Sequence, residues 1–511
     1  MACAQTVVDE AIATAKGLGP AAHDDQVFLY DLSHAAAGVS MCATALSYAD
    51  HGAEEELLAK VFIGRVISQV GATLWSAHER WGVAADALAP AQPFAMAATD
   101  GDFVAGAART EGERHLRDDL AMVADTFKRF GEDKIAPQAE HIHRGDLDIP
   151  TDIIEGVAEL GCFGLSISEA YGGFAQGTED DYLAMIIATE ELSRASLGAG
   201  GSLITRPEIL ARALEGGGTE AQKHHWLPRI ASGETLCAVA VTEPDYGSDV
   251  AGLKVTATPT DGGYLLNGTK TWCTFAGRAT VLMVLARTNP DPDAGHRGLS
   301  ILIVEKPTDD GHAFRHEADG GTLEGRAIPT LGYRGMHSFE VSFSDWFVPG
   351  DNLIGGEDGL GRGFYLQMAG FENGRVQTAA RSVGLMQRAY EVAVEYAEGR
   401  KVFGQSLDQY QLTQVKLGTM AALIQISRQY AYVVARLMAD GNGAAEAAMA
   451  KAFVCKAAEW VTRESLQIHG GYGYAEEYEI SRLFVDARVL SIFEGADETL
   501  CLKLIARRLL A

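Results

Sequence analysis

The sequence predicts an α+β protein in which helices and strands are segregated along the chain and do not alternate. Three observations carry this reading. Apolar residues recur at helical spacing over 1–88 and 111–235, short β-branched runs fill 236–350, and helical spacing returns from there to the end. A chain of 511 residues that is 47% hydrophobic and 22% charged has apolar material for several packed domains.

Taken in order, Phe28, Leu32, Ala35, Val39, Cys42 and Leu46 form one stripe on a helix, and Ile63, Ile67, Val70, Leu74, Ala77 and Trp81 form a second. The break between them, YADHGAEEE, supplies a glycine and then acids suited to a helix N-terminus. Residues 1–88 are therefore expected to be a helical extension built on an antiparallel hairpin, a packing or assembly element without chemistry of its own. The stretch 89–110 loses periodicity and reads as a linker. Helical patterns resume over 111–235, punctuated by EAYGGF at 169–174 and EGGG at 215–218. Six runs then look like strands: CAVAVTE (237–243), KVTATPT (254–260), YLLNGTKTW (264–272), TVLMVLART (280–288), GLSILIVEKP (298–307) and EVSFSDWFVP (340–349). DGG at 261–263 marks a hairpin, so 236–350 is expected to be an antiparallel β domain. After GLGRGF at 359–364, residues 351–511 form a last domain of four to five long helices.

Composition excludes several function classes. Acids outnumber bases by 69 to 42, a net charge of −27 that leaves no general basic surface for nucleic acid or anionic lipid. No apolar run approaches the roughly 18–20 residues of a bilayer span, so no membrane association is expected. The N-terminus carries Asp9 and Glu10 without a basic-then-apolar leader. Seven cysteines without a C-x-x-C pair suit a reducing cytoplasmic setting without disulfides or a thiolate zinc site. His141 and His143 lack further ligands nearby, and His224 and His225 face different ways, so no metal is expected. Phosphate-loop, serine-hydrolase and zinc-protease motifs are absent. Gly359-Leu-Gly361-Arg-Gly363 opens a helix after a loop and not after a strand, so a nucleotide cofactor would need an architecture other than Rossmann.

Four segments in order carry chemistry: Val241-Thr-Glu-Pro-Asp-Tyr-Gly-Ser248-Asp, then Asn267-Gly-Thr-Lys270-Thr-Trp272-Cys-Thr274, then Arg400-Lys-Val-Phe403-Gly404-Gln, then Gln467-Ile-His-Gly470-Gly471-Tyr-Gly473. Phe493-Glu494-Gly495 follows near the C-terminus. This set, spread over residues 112–511, resembles the acyl-CoA dehydrogenase flavoproteins. The resemblance implies that family's fold, with an N-terminal helical domain, a central β domain and a C-terminal four-helix bundle, here preceded by an extra helical extension. It also implies FAD held by both the β domain and the C-terminal helices. Thr242, Gly247 and Ser248 would bond flavin carbonyls or phosphate oxygens, Trp272 would cover a flavin face, and Thr274 would place a donor near N5. Arg400 would reach the diphosphate of a neighbouring subunit, with Phe403, Gln467, Gly470 and Gly471 supporting the ADP moiety. A homodimer or homotetramer follows from that sharing.

By the same resemblance Glu494 is the catalytic base that takes the α-proton of an acyl-CoA while a β-hydride moves to the flavin. Gly495 would keep the adjacent backbone open to the thioester, and Ser248, Glu372 and Arg375 would contact the substrate, the last two at its CoA nucleotide. The other position where members carry the base corresponds here to Gly374, which leaves Glu494. One run departs from the common pattern: many members follow the Glu-Gly pair with Thr, Ser and Gln, whereas this chain has Ala496-Asp497-Glu498. The segments TWCTFAGRA, GYRGMHS, FENGRVQTAAR and FEGADETL are most like members that oxidise a methyl-branched C4-dicarboxylyl thioester. Such a substrate needs a buried cation or several donors, and Arg206 in Ser202-Leu-Ile-Thr205-Arg206-Pro207 is the first candidate. Electron-transferring flavoprotein is the expected acceptor. A generic short-chain dehydrogenase and a flavin oxidase on the same fold are the alternatives.

Overall fold

The computed structural model describes residues 1–511 apart from the side chain of Pro292. The helices preceding the sheet are α1 (Ala2–Leu18), α2 (Gln26–Ala49), α3 (Ala53–Trp81), α4 (Gln92–Ala98), α5 (Gly101–Ala105), α6 (Asp118–Phe130), α7 (Ala136–Gly145), α8 (Thr151–Glu159), α9 (Glu179–Ala195), α10 (Thr205–Gly217) and α11 (Glu220–Ala231). The strands are β1 (Cys237–Ala240), β2 (Thr256–Thr260), β3 (Gly263–Thr274), β4 (Val281–Arg287), β5 (Leu299–Glu305), β6 (Ala313–Ala318), β7 (Gly321–Ile328) and β8 (Ser338–Pro349). The chain then runs through α12 (Gly363–Gly399), a small hairpin of β9 (Lys401–Val402) and β10 (Gln405–Ser406), α13 (Gln411–Ala439), α14 (Ala444–His469) and α15 (Glu479–Leu490), and ends in helical turns over 497–510. It divides into two compact units, 1–122 with 378–511 and 123–377, with the division falling inside α12.

In the first unit the extension packs on the C-terminal helices. Phe28, Leu32, Val39 and Cys42 of α2 and Ile63, Ile67, Val70, Leu74 and Trp81 of α3 are buried, as their spacing predicts. Leu46, at the end of the first stripe, is 47% exposed. The helices pack closely: a Cβ on Gly38 would lie 3.1 Å from Val66 of α3 and 3.5 Å from Phe453 of α14. α3 corrects one expectation, because its length and composition would suffice for a bilayer span. Most of its large apolar residues are instead buried against neighbouring helices, while Trp75 is 87% exposed. The stretch 89–110 is also not a plain linker, since α4 and α5 lie within it. Pro93 sits in the first turn of α4, where no amide is needed, and Asp100 caps α5 by accepting from Asp102 N at 3.0 Å. Helices of five to seven residues are too short to display an apolar period. α5 docks on α13 so tightly that a Cβ at Gly418 would meet the Val104 carbonyl at 2.1 Å.

In the second unit the sheet order is β1-β4-β2-β3-β8-β7-β6, with β5 on the other edge of β4. The pairings β2–β3, β3–β8, β4–β5, β6–β7 and β7–β8 are antiparallel, as expected, whereas β1 and β2 both pair with β4 in parallel. The strands β6 and β7 were not among the predicted runs. Their sequences, AFRHEA and GTLEGRAI, carry charge and glycine and are specified by pairing with each other and with β8. β4 is buried along nearly its whole length, as its unbroken apolar run requires. Val281, Met283 and Leu285 of β4 pack with Ile301 and Ile303 of β5 against Ile209, Leu210, Trp226 and Leu227 of α10 and α11.

Candidate active site

The second unit carries the loop 241–249 and the end of β3. Glu243 and Lys270 are both buried and pair at 2.8 Å. Glu243 also accepts from the Lys254 and Val255 amides, both at 2.8 Å, and Lys270 donates to the Val241 carbonyl at 2.8 Å. Burial pushes the Lys270 ammonium down from its usual range, and Glu243 opposes that shift. This pair fixes the loop against the strand, and Thr271 N donates to the Thr242 carbonyl at 2.8 Å. Thr242 is half-buried, whereas Gly247 and Ser248 are exposed. The nearest atom to a Cβ on Gly247 would be 4.0 Å away, so the backbone there is open to a ligand.

Trp272 owes its place to a bulge. Between Lys270 and Cys273 the β3 strand advances three residues while β8 advances two, from Val341 to Phe339. The extra residue turns the strand, Trp272 takes φ +56°, and its indole is 54% exposed. Two residues on, Thr274 is buried and its hydroxyl lies 2.9 Å from that of Ser338. The next residue, Phe275, donates its amide to the His337 carbonyl at 2.8 Å, which docks segment 332–338 on the end of β3. His337 lies 2.9 Å from Asp148. Burial disfavours its charge, but Asp148 and Asp146 outweigh this and raise its pKa above the usual value.

Arg206, in the first turn of α10, is 6% exposed. Its guanidinium donates to the Tyr333 hydroxyl at 3.0 Å and the Ser202 carbonyl at 3.3 Å, and its carbon lies 5.9 Å from the Tyr333 ring centre. No carboxylate among the described residues pairs with it. The α12 stretch beside α10 carries Glu372, half-buried, and Arg375, buried. On the same stretch, buried Gln367 has neither amide atom hydrogen-bonded.

In the first unit Arg400 is exposed, with its guanidinium 5.9 Å from the Tyr472 ring centre. Two candidate segments, 400–405 and 467–473, are thereby side by side. The β9–β10 turn is Phe403-Gly404 with φ +49° and +90°, the two-residue hairpin turn that favours a left-handed first position. It leaves the Phe403 ring 99% exposed. Gln467, Gly470 and Gly471 are exposed as well, with open space beside both glycines.

Glu494 occupies a tight loop after α15 at φ +53°, followed by Gly495 at +97°. A non-glycine residue in this region costs roughly 1 kcal/mol, so neighbours must hold it. Buried Lys451 donates to the Gly495 carbonyl at 2.8 Å, and Arg381 lies 4.8 Å from the Phe493 ring centre. The Glu494 Oε2 atom is buried without a hydrogen-bond partner, and its backbone N–H meets no carbonyl. A carboxylate with one unpaired oxygen beside an unpaired amide donor is equipped to take a proton next to a polarised carbonyl.

Sequence reasoning missed three groups here: the Glu243–Lys270 pair, Tyr333 as the partner of Arg206, and the cations Lys451 and Arg381 around Glu494. Lys451, a lysine on the otherwise apolar stretch AAMAKAFVC, was the available signal.

Comparison with known proteins agrees with this geometry. The N-terminal, middle and C-terminal domain patterns of acyl-CoA dehydrogenases match residues 117–234, 238–346 and 361–510, leaving the extension outside them. The chain is 43% identical over 403 residues to (2S)-methylsuccinyl-CoA dehydrogenase of Cereibacter sphaeroides, covering 78% of this chain and 71% of that one. The butyryl-CoA dehydrogenase structure from Megasphaera elsdenii superposes with a TM-score of 0.71 at 32% identity, covering 78% and 99% of the two chains. A glutaryl-CoA dehydrogenase in complex with glutaryl-CoA gives 0.70 at 30%, covering 77% and 95%. With all three domains matched in order, this chain belongs to the acyl-CoA dehydrogenase family.

Proposed function

We propose that this acyl-CoA dehydrogenase binds FAD and oxidises (2S)-methylsuccinyl-CoA to mesaconyl-CoA. The observation that carries the substrate is Arg206, a buried guanidinium whose partners are a hydroxyl and a carbonyl and not a carboxylate. An ion kept out of water in this way is costly unless something pairs it, and a distal substrate carboxylate would do so. The 43% identity to a relative of that name supports the same choice.

The residues present fit FAD. The exposed Trp272 indole offers a stacking face, and the open backbone at Gly247, Gly470 and Gly471 leaves room for phosphates or an adenosine. The Thr274 hydroxyl, 2.9 Å from that of Ser338, would be free to donate to the cofactor wherever Ser338 is the donor of that pair. The exposure of Phe403 and Arg400 supports their acting on the cofactor of a second copy, hence a homodimer or homotetramer. FAD, when bound, supplies the acceptor for the substrate's β-hydride. Glu494 takes the α-proton at Oε2, and its backbone N–H donates to the thioester oxygen, where charge accumulates. Glu372 and Arg375 bind the CoA nucleotide. Electron-transferring flavoprotein removes the electrons, an assignment that rests on the family resemblance alone.

The test is anaerobic flavin bleaching by methylsuccinyl-, butyryl- and isobutyryl-CoA, followed by reoxidation with electron-transferring flavoprotein or air. Strong preference for the dicarboxylyl ester and an air-stable reduced flavin are expected. Equal rates with all three esters would remove the substrate assignment, and fast reaction with oxygen would make the protein an oxidase.

A further inference from the structure

The loop bearing Glu494 is gripped at its far end by the N-terminal extension. Asp497, 5% exposed and three residues after Glu494, accepts from the Tyr30 hydroxyl at 2.5 Å and meets His34 Nε2 at 3.1 Å and Lys456 Nζ at 3.3 Å, all at the same carboxylate oxygen. Tyr30 and His34 stand one turn apart on α2, so both reach the same point. Between them in sequence, Ser33 donates to the Cys501 carbonyl at 3.0 Å in a buried contact. Lys456 also donates to the Tyr30 hydroxyl, which closes the cluster. Burial works against ionisation of Asp497, but His34, Tyr30 and Lys456 overcome it and bring its pKa down to about 2. The other end of the loop is closed by Asp497 N donating to the Ser491 carbonyl at 3.2 Å. Glu494 and Gly495, both at positive φ, therefore sit inside a short span whose return end is Asp497.

We infer that α2 of the extension is a positioning element for the reaction, with Tyr30 and His34 acting through Asp497 to hold the loop that presents Glu494. This rests on the reading of Glu494 as the base. It also gives the departure at Ala496-Asp497-Glu498 a physical counterpart: the chain that carries an aspartate here carries the donors that bind it, in a segment outside the matched family domains. The extension was expected to be packing without chemistry; the contacts give it a route to the base. Lys451 and Arg381 hold the Phe493–Gly495 part of the loop from the C-terminal helices, and at Asp497 Tyr30 and His34 of the extension join Lys456 of α14.

The experiment compares full-length Tyr30→Phe/His34→Ala, Tyr30→Phe alone and His34→Gln with wild type. The rate of anaerobic flavin reduction is read at saturation with whichever CoA ester bleaches wild type fastest, together with the apparent Kd of that ester and Tm. Losing two hydrogen bonds to a carboxylate should slow the saturated rate about tenfold or more in the double variant, with Kd within about twofold. His34→Gln, whose amide still donates, should stay within about twofold of wild type. Should the double variant not fold, Tyr30→Phe alone carries the test, with a smaller loss of rate expected. A lower Tm with an unchanged saturated rate would make the contact mere docking and overturn the inference. Adding Tyr30→Phe/His34→Ala to Glu494→Gln should cause no further loss, because both act on one step; full additivity would also overturn it. Wild-type activity in Glu494→Gln would instead overturn the base assignment, a result separable from the extension's effect.

Discussion

Replacing Arg206 with methionine removes a charge while keeping an apolar side chain of comparable length, so little cavity is left behind. In the protein, two hydrogen bonds to neutral partners are lost, to Tyr333 and Ser202, each worth about 1 kcal/mol. Relief of a buried ion without a carboxylate offsets much of this, so Tm should change by only a few degrees. Substrate binding behaves differently. A charge-assisted contact between the guanidinium and a distal carboxylate is worth about 1.5–3 kcal/mol, or roughly ten- to 150-fold. If the carboxylate is left buried and unpaired, the loss reaches about 3–5 kcal/mol. The assay is kcat/KM for anaerobic flavin reduction with methylsuccinyl-CoA and butyryl-CoA in both proteins. The dicarboxylyl preference should fall by at least about tenfold, while butyryl-CoA changes by less than about threefold. A preference that survives intact would refute the pairing. A parallel loss with both esters would mean that the substitution has deformed the pocket and has not removed a charge contact.

Glu494→Gln should retain the flavin spectrum and CoA ester binding yet lose roughly two to four decades of turnover, read by single-turnover bleaching. Arg400→Ala should weaken FAD retention about ten- to a hundredfold, measured as occupancy after dialysis, if its exposed guanidinium makes the proposed diphosphate contact. Lys270→Met leaves Glu243 buried and should cost about 3–5 kcal/mol, lowering Tm by roughly 6–20 °C, read by thermal unfolding with flavin release. For His337 the folded pKa is raised, so its contribution to stability is complete below the ordinary histidine value and is lost as pH rises through the raised one. Asp148 is held low by His337 and the Gly311 amide against burial, so its contribution is present above the ordinary aspartate value and is lost in acid. The pair is thus strongest between those limits, and His337→Gln should flatten the fall in Tm as pH rises above the ordinary histidine value; an unchanged slope would remove the pair from that role.

The sequence by itself determined what depends on local periodicity and composition. The stripes on α2 and α3, the unbroken apolar run of β4 and the order of helices, strands and helices were legible, because each shows in the spacing of neighbouring residues. The site segments were legible by resemblance, because 241–249, 267–274, 400–405, 467–473 and 493–495 are contiguous words. What the tertiary structure decided involves partners far apart in the chain. β6 and β7 form because β8 offers an edge, whatever their weak propensity. Trp272 faces outward because a register shift against β8 adds one residue at that point. Glu243 finds Lys270, Arg206 finds Tyr333 at a separation of 127 residues, and Tyr30 finds Asp497 at 467. No period or motif encodes such pairs, because a buried charge or hydroxyl is satisfied by whichever group the folded backbone brings within about 3 Å, and only long-range packing sets that distance.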